Sequence, residues 1–250
     1  MSSQARVQQE AAFVLHHRPF RDSSQILDVL SREHGKLALV ARGSRGARSK
    51  LKGVLRPFLP LRMSWVQRSD MGTLTGAESA GEPLSLGGDA LMAGYYVNEL
   101  LLHFLHRHDP QPEIFDLYEE ALRELRAGTD IAATLRRFEI VFLELIGYAL
   151  NLRFEAGSDR PVLSAQHYEY RVDQGPVAVS RSDGLMVFRG DQLAGIAAQS
   201  FDDADTLRAA NRLLRQVLAF HLGDKELKTR KVQAELRAAR IRHSRKDSAQ

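Results

Sequence analysis

Ser24-Gln25-Ile26-Leu27-Asp28-Val29-Leu30, followed by His34-Gly35-Lys36 and then Leu37-Ala38-Leu39-Val40-Ala41, is the stretch on which the fold turns. Two aliphatic runs joined through a glycine-bearing connection predict a β-hairpin. On its N-terminal side, Ala11-Ala12-Phe13-Val14-Leu15-His16 predicts another strand, with a turn at Arg18-Pro19. On its C-terminal side, Leu59, Leu61, Met63 and Trp65 alternate with Pro60, Arg62 and Ser64, the period of a strand buried on one face. Thr73-Leu74-Thr75 supplies a fifth short strand. Five closely spaced strands within residues 1–80 predict a small closed or nearly closed barrel of the OB type; a sandwich fragment is the less economical arrangement.

The hairpin leads into a segment of unusual charge. Between Gly35 and Ser69 there are nine basic residues and no acidic one: Lys36, Arg42, Arg45, Arg48, Lys50, Lys52, Arg56, Arg62 and Arg68. Its densest part, 42–52, reads as a mobile, cation-studded loop between two strands. Isolated surface cations are usually only solvated. These cannot pair with a local acid, and a polyanion whose condensed counterions they release is their natural partner. The formal net charge of the 250 residues is only +4, so the position of the charge is more informative than its sum. Glycine directly before a Lys-Ser/Thr pair is absent, which removes a nucleotide-cradling P-loop. Trp65 and Phe13 share strand faces with aliphatic neighbours and read as core, leaving Phe20 and Phe58, near loops, as the candidates for base contact.

From Asp89 onward the helical period dominates. Asp89 to His106 is apolar most of the way round, as a buried helix would be. Glu113 to Arg126 follows, with Pro112 placed for the first turn and Gly128 for the end. A third helix, capped by Thr129 or Asp130, carries the stripe Ile131, Leu135, Phe138, Phe142, Leu145, Ala149, and a fourth covers about Ala204 to Leu222. The expected organisation is α+β. An OB domain (1–80) precedes a helical bundle domain (81–152 and 200–240), which is interrupted by a small subdomain of hairpins (153–199). A basic tail (241–250) ends the chain. Past Gly223 come Lys225, Lys228, Arg230, Lys231, Arg237, Arg240, Arg242, Arg245 and Lys246, a second cationic block.

There is no cysteine, which removes disulfides, thiolate nucleophiles and cysteine-held zinc. His103, His106 and His108 lack the carboxylate spacing of a metal motif and read as charges near a helix end, so no metal or cofactor is expected. No set of carboxylates assembles for hydrolysis, so a phosphodiester-cleaving enzyme is the weaker alternative; an RNA-binding or ribosome-associated OB module is the nearer one. A polar N-terminus and no membrane-length apolar run predict a soluble cytoplasmic protein without a membrane partner, and binding to DNA would make it nucleoid-associated.

Taken in order, these segments resemble the RecO family of bacterial DNA repair and recombination mediators over essentially the whole chain. The resemblance is carried by Ala12-Phe13-Val14-Leu15-His16, Arg18-Pro19, Ser23-Ser24, the run Gly35 to Gly43, Leu51-Lys52-Gly53 and Pro57-Phe58. It continues through Tyr95-Tyr96-Val97-Asn98-Glu99-Leu100-Leu101, Leu135-Arg136-Arg137-Phe138-Glu139, Leu145-Ile146-Gly147-Tyr148, Leu222-Gly223 and Leu227-Lys228-Thr229-Arg230. The resemblance implies an N-terminal OB-fold, a helical domain and, in many members, a cysteine zinc module after the Gly147-Tyr148 position. It also implies binding of single- and double-stranded DNA, annealing of complementary strands and partnership with RecR. Last, it implies capture of the acidic C-terminal tail of single-stranded-DNA-binding protein. For that tail Arg136 and Arg137, cations on a helix with an apolar flank, are the candidates. Lys36, Arg42, Arg45, Arg48, Lys50, Lys52, Arg56, Lys228, Arg230 and Lys231 are the candidates for DNA. The insert here has no cysteine, so the metal site is not carried over.

Overall fold

The computed structural model describes residues 5–67, 69–128 and 130–232. Arg68, Thr129 and the cations from Arg237 onward, with the 241–250 tail, lie outside the described residues. The chain divides into two compact units, one formed by residues 1–128 and 227–250 and the other by 129–226.

In the first unit, β1 (Ala5–Phe20), β2 (Ser24–Ser31), β3 (Gly35–Ala41), β4 (Leu61–Gln67) and β5 (Met71–Ser79) close a barrel in the order β1-β2-β3-β5-β4. All neighbours are antiparallel except β3 and β5, and β4 returns to pair with the first half of β1. This is the expected OB barrel. Alternate residues point inward: Ala12 and Val14, Leu27 and Val29, Leu37, Leu39 and Ala41, Leu61, Met63 and Trp65 form one core. The intervening residues of β1 and β2 are buried too, because α1 (Gly88–Phe104) and α2 (Pro112–Ala127) belong to the same unit. Phe13 packs against Phe115 and Tyr118 of α2, with ring centroids 5.4 and 5.2 Å away.

β1 is longer than its sequence suggests. Two irregularities, between Val7 and Glu10 and between Val14 and His16, break the alternation that marks a strand. The expected turn at Arg18-Pro19 lies later, at Arg21-Asp22-Ser23, and Pro19 is still a strand residue opposite Gln25. At the second irregularity the extra residue is Leu15. Its carbonyl accepts a hydrogen bond from Asn98 Nδ2 at 2.8 Å, and Asn98 Oδ1 accepts one from the Tyr118 hydroxyl at 2.7 Å. Burial pushes the Tyr118 hydroxyl far above the ordinary phenol range, so it stays a neutral donor. Gly35 sits at φ +65°, and a Cβ there would lie 2.1 Å from the Asp109 carbonyl oxygen, so the β2–β3 connection meets the α1–α2 connection backbone to backbone.

The second unit contains α3 (Ile131–Leu145), a three-stranded sheet ordered β7-β6-β8, α4 (Gly190–Ala197) and α5 (Ala204–Leu222); the strands are β6 (His167–Arg171), β7 (Gly175–Val179) and β8 (Val187–Arg189). Asp130 caps α3 by accepting from Ala133 N–H, and Asp203 caps α5 by accepting from Thr206 N–H. The cysteine-free insert is thus a real sheet with Tyr168, Tyr170 and Phe188 buried, followed by a helix where hairpins were expected. The expected helical domain does not gather all its helices: α1 and α2 cover the barrel, while α3 and α5 pack with the small sheet's unit.

Candidate nucleic-acid interface

The basic segment after β3 is a chain of hydrogen-bonded turns. Gly46, Ser49 and Lys52 each donate a backbone N–H to the carbonyl three residues earlier, at 3.1, 3.0 and 3.3 Å, and Leu55 donates to Leu51 at 3.0 Å. Ser44 Oγ closes the start of the chain on the Ala41 carbonyl at 2.8 Å. The apolar residues turn inward: Leu55 and Leu59 join the barrel core, with Leu51 and Val54 packed against it. The cations are left outside. Arg42, Arg45, Arg48, Lys50, Lys52 and Arg56 are all exposed, and among the described residues none forms an ion pair. Instead of an extended connection, the segment is a run of hydrogen-bonded turns that packs its apolar residues on the barrel and presents its charge outward.

The turns also meet the β1–β2 hairpin. Arg45 N–H donates to the Ser23 carbonyl at 2.8 Å, and Gly43 N–H lies 3.4 Å from Ser24 Oγ. This brings exposed Arg18 and Arg21 to the same end of the barrel as Arg42 and Arg45. Sequence reasoning passed over both arginines, since each stands alone in the chain and only strand register reveals their neighbours. Phe20, half-buried, lies under the Arg21 guanidinium, 5.2 Å from ring centroid to Cζ. Phe58 is buried against Tyr95 and offers no open ring face, so the expectation of base contact does not hold for it. His17, beside the hairpin, has its imidazole held below the usual range, first by burial and then by His16, and adds no charge at neutral pH.

Three of the expected cations are engaged within the fold. Lys36 Nζ donates to the Leu102 carbonyl at 2.7 Å, fastening β3 to the C-terminal turn of α1, where a cation suits the helix dipole. Arg230 donates to the Tyr96 hydroxyl at 2.9 Å and stacks over its ring. Arg136 is buried in the second unit. It pairs with the fully buried Glu139 at 2.7 Å and hydrogen-bonds Asn211 of α5. Arg136, expected as a candidate for an acidic tail, is thus enclosed and already engaged by Glu139 and Asn211. Its neighbour Arg137 is the exposed one, with its guanidinium 5.9 Å from the Phe201 ring centroid. Lys228 and Lys231 are exposed. Among the described residues no group of three or more His, Asp or Glu is arranged to hold a metal ion, and no helix is long and apolar enough to cross a membrane.

Comparison with known proteins places this geometry in a lineage. The family model described as Recombination protein O N terminal matches residues 4–82, and Recombination protein O C terminal matches residues 87–231. The DNA repair protein RecO of Nitrosococcus oceani is 43% identical over 234 residues, which cover 93% of this chain and 95% of that one. The DNA repair protein RecO of Aromatoleum aromaticum is 42% identical over 238 residues, 94% and 99% of the two chains. That of Methylococcus capsulatus is 39% identical over 228 residues, 91% and 93%. Matched along both the barrel and the helical parts and at such identity over nearly its full length, the chain belongs to the RecO family of DNA repair proteins.

Proposed function

We propose that this chain is a non-enzymatic mediator of DNA repair and recombination. In this reading it binds single- and double-stranded DNA and anneals complementary strands. With RecR it helps load recombinase onto strands coated by single-stranded-DNA-binding protein, in the cytoplasm at the nucleoid. The observation that carries the reading is the set of six exposed, ion-pair-free cations on turns pinned to a closed barrel. A cluster of exposed cations in one short segment suits a phosphate backbone, and the burial of Phe13, Phe58 and Trp65 favours backbone contact over base reading. Mechanistically, such cations screen the repulsion between two approaching strands, the barrier to pairing them.

Within the second unit, capture of an acidic tail falls to Arg137, because Arg136 already has Glu139 and Asn211 as partners. A carboxylate at Arg137 would form a charge-assisted hydrogen bond at the surface of α3.

The test is fluorescence-reported annealing of complementary strands coated with single-stranded-DNA-binding protein, run for the parent and for R42A/R45A/R48A/K50A/K52A. If six cations contact a single strand, log affinity falls with log salt at a slope of about −4, and the five-fold variant flattens that slope and abolishes annealing while its melting curve is unchanged. Unchanged DNA affinity in the variant overturns the assignment. Arg137→Ala is expected to weaken binding of the tail peptide and leave naked DNA binding intact; equal losses in both would remove that division of labour.

A further inference from the structure

α1 carries Tyr96, Glu99 and His103 at spacings of three and four, one line along the helix. Against this line lies the short stretch Leu227 to Val232, which rejoins the barrel unit after the chain has passed through the whole of the other unit. One oxygen of the Glu99 carboxylate accepts the Lys228 N–H at 2.8 Å. The other accepts the Thr229 N–H at 2.9 Å and the Thr229 hydroxyl at 2.5 Å. Leu227 is buried, and Arg230 is tied to Tyr96 by its hydrogen bond and its stacked guanidinium. Two of the stretches that carry the family resemblance, around Glu99 and around Thr229, therefore touch one another.

Glu99 is poorly exposed on a largely apolar helix, where an ionised carboxylate is costly without donors. Its hydrogen-bond donors come from residues 228–229, and His103 Nε2 stands 3.9 Å away. The carboxylate makes physical sense only with that stretch docked. Once docked, Thr229 and Arg230 turn toward α1 while Lys228 and Lys231, three residues apart, turn to solvent.

We infer that Glu99 is a latch, a positioning residue that holds the basic C-terminal stretch on the barrel unit so that Lys228 and Lys231 form a second phosphate-binding surface on the unit that carries the 42–56 cations. The inference rests on the DNA-annealing reading above for its function, but not for the latch itself. Arg230 becomes an anchor rather than a DNA contact. A second strand is then held by the same body as the first, which is what annealing by one molecule requires.

The experiment uses the full chain as Glu99→Gln, Thr229→Val and the double variant. In the absence of DNA, tryptic cleavage after Lys228, Arg230 and Lys231, followed by mass spectrometry, reads the docked population. Loss of the charge-assisted bonds is expected to speed cleavage about tenfold in Glu99→Gln and less in Thr229→Val, with the double variant no worse than Glu99→Gln. Annealing of complementary oligonucleotides is expected to slow about fivefold, while affinity for one single strand stays within about twofold. Unchanged cleavage in both single variants overturns the latch. Faster cleavage with unchanged annealing overturns the second surface, provided the parent anneals. If the parent does not anneal at all, the proposed function fails, and the cleavage arm still decides whether Glu99 is the latch.

Discussion

The barrel unit and the small-sheet unit finish their β-structure in opposite ways. A barrel has no edge strands to satisfy: its five strands pair all the way round, and its interior is apolar throughout. Its outer surface is left to be shared between helix packing on one side and cations on another. The sheet β7-β6-β8 stays open, and polar side chains complete it. The Tyr168 hydroxyl accepts from Leu163 N–H at 2.9 Å, Asn151 brackets Phe154 with two hydrogen bonds, and Arg212 donates to the Val187 carbonyl at 2.9 Å while stacking 4.5 Å from the Phe188 ring centroid. Without a cysteine, this small sheet is held by buried aromatics and side-chain hydrogen bonds. Closure leaves a surface available for function, whereas an open sheet of three strands draws its neighbouring side chains into holding itself together.

The contrast can be broken at matched positions. Gly35→Ala drives a Cβ into the Asp109 carbonyl at a left-handed residue and is expected to cost about 4 kcal/mol, the largest effect, confined to the barrel unit. Gly190→Ala meets the Leu163 carbonyl at the same 2.1 Å and is the counterpart in the other unit. Hydrogen exchange should show each variant loosening its own unit; uniform loosening of both would mean that the chain unfolds as one cooperative body. Glu139→Ala leaves Arg136 buried without its carboxylate and is expected to cost about 3 kcal/mol, measured by urea unfolding. Asn98→Ala orphans both the Leu15 carbonyl and the Tyr118 hydroxyl, for about 2 kcal/mol in the barrel unit.

The smallest effect is at Asp203, whose carboxyl is held below the usual range first by the Thr206 N–H. A group with a lowered folded pKa stabilises above its unfolded pKa and loses that contribution as pH falls through the folded one. Removal of the cap in Asp203→Ala should therefore matter at neutral pH and vanish in strong acid, as thermal melts across pH would show.

Much of the barrel was legible because period-two alternation survives wherever one strand face is apolar. Legibility failed where that period is interrupted. The bulged start of β1 hides its alternation, and Arg18-Pro19 reads as a turn although proline is tolerated near a strand end. The helix α4 carries a weak signal because it is only eight residues long and holds Gly190 and Gly195, poor helix formers; Gly195 is there for close packing, with a Cβ falling 2.8 Å from Thr206. On α3 the expected stripe holds at Phe138 and Phe142, but Leu135 and Leu145 are not fully buried, and the buried face also takes in Ala133, Arg136 and Glu139. A buried ion pair cannot be recognised from spacing, because Arg136 and Glu139 read like any surface pair at i and i+3 until Asn211 of α5 is seen beside them. The exposed cations of 42–56 were legible for the converse reason. No acid lies between Gly35 and Ser69 in sequence, and among the described residues the fold pairs none with them.

The docking of residues 227–232 on α1 also bears on the order in which the protein can be made. As the chain leaves the ribosome, the barrel and its two helices are complete in sequence by residue 128, but the partner of Glu99 emerges only after the whole intervening unit has been synthesised. Until then Glu99 stays hydrated at the surface of an otherwise assembled barrel. Closure entropy grows only slowly with the length of the intervening chain, so residues 129–226 delay the return of Thr229 to α1 without forbidding it. Late protection of the Lys228 and Thr229 amides in pulsed hydrogen exchange would be its signature.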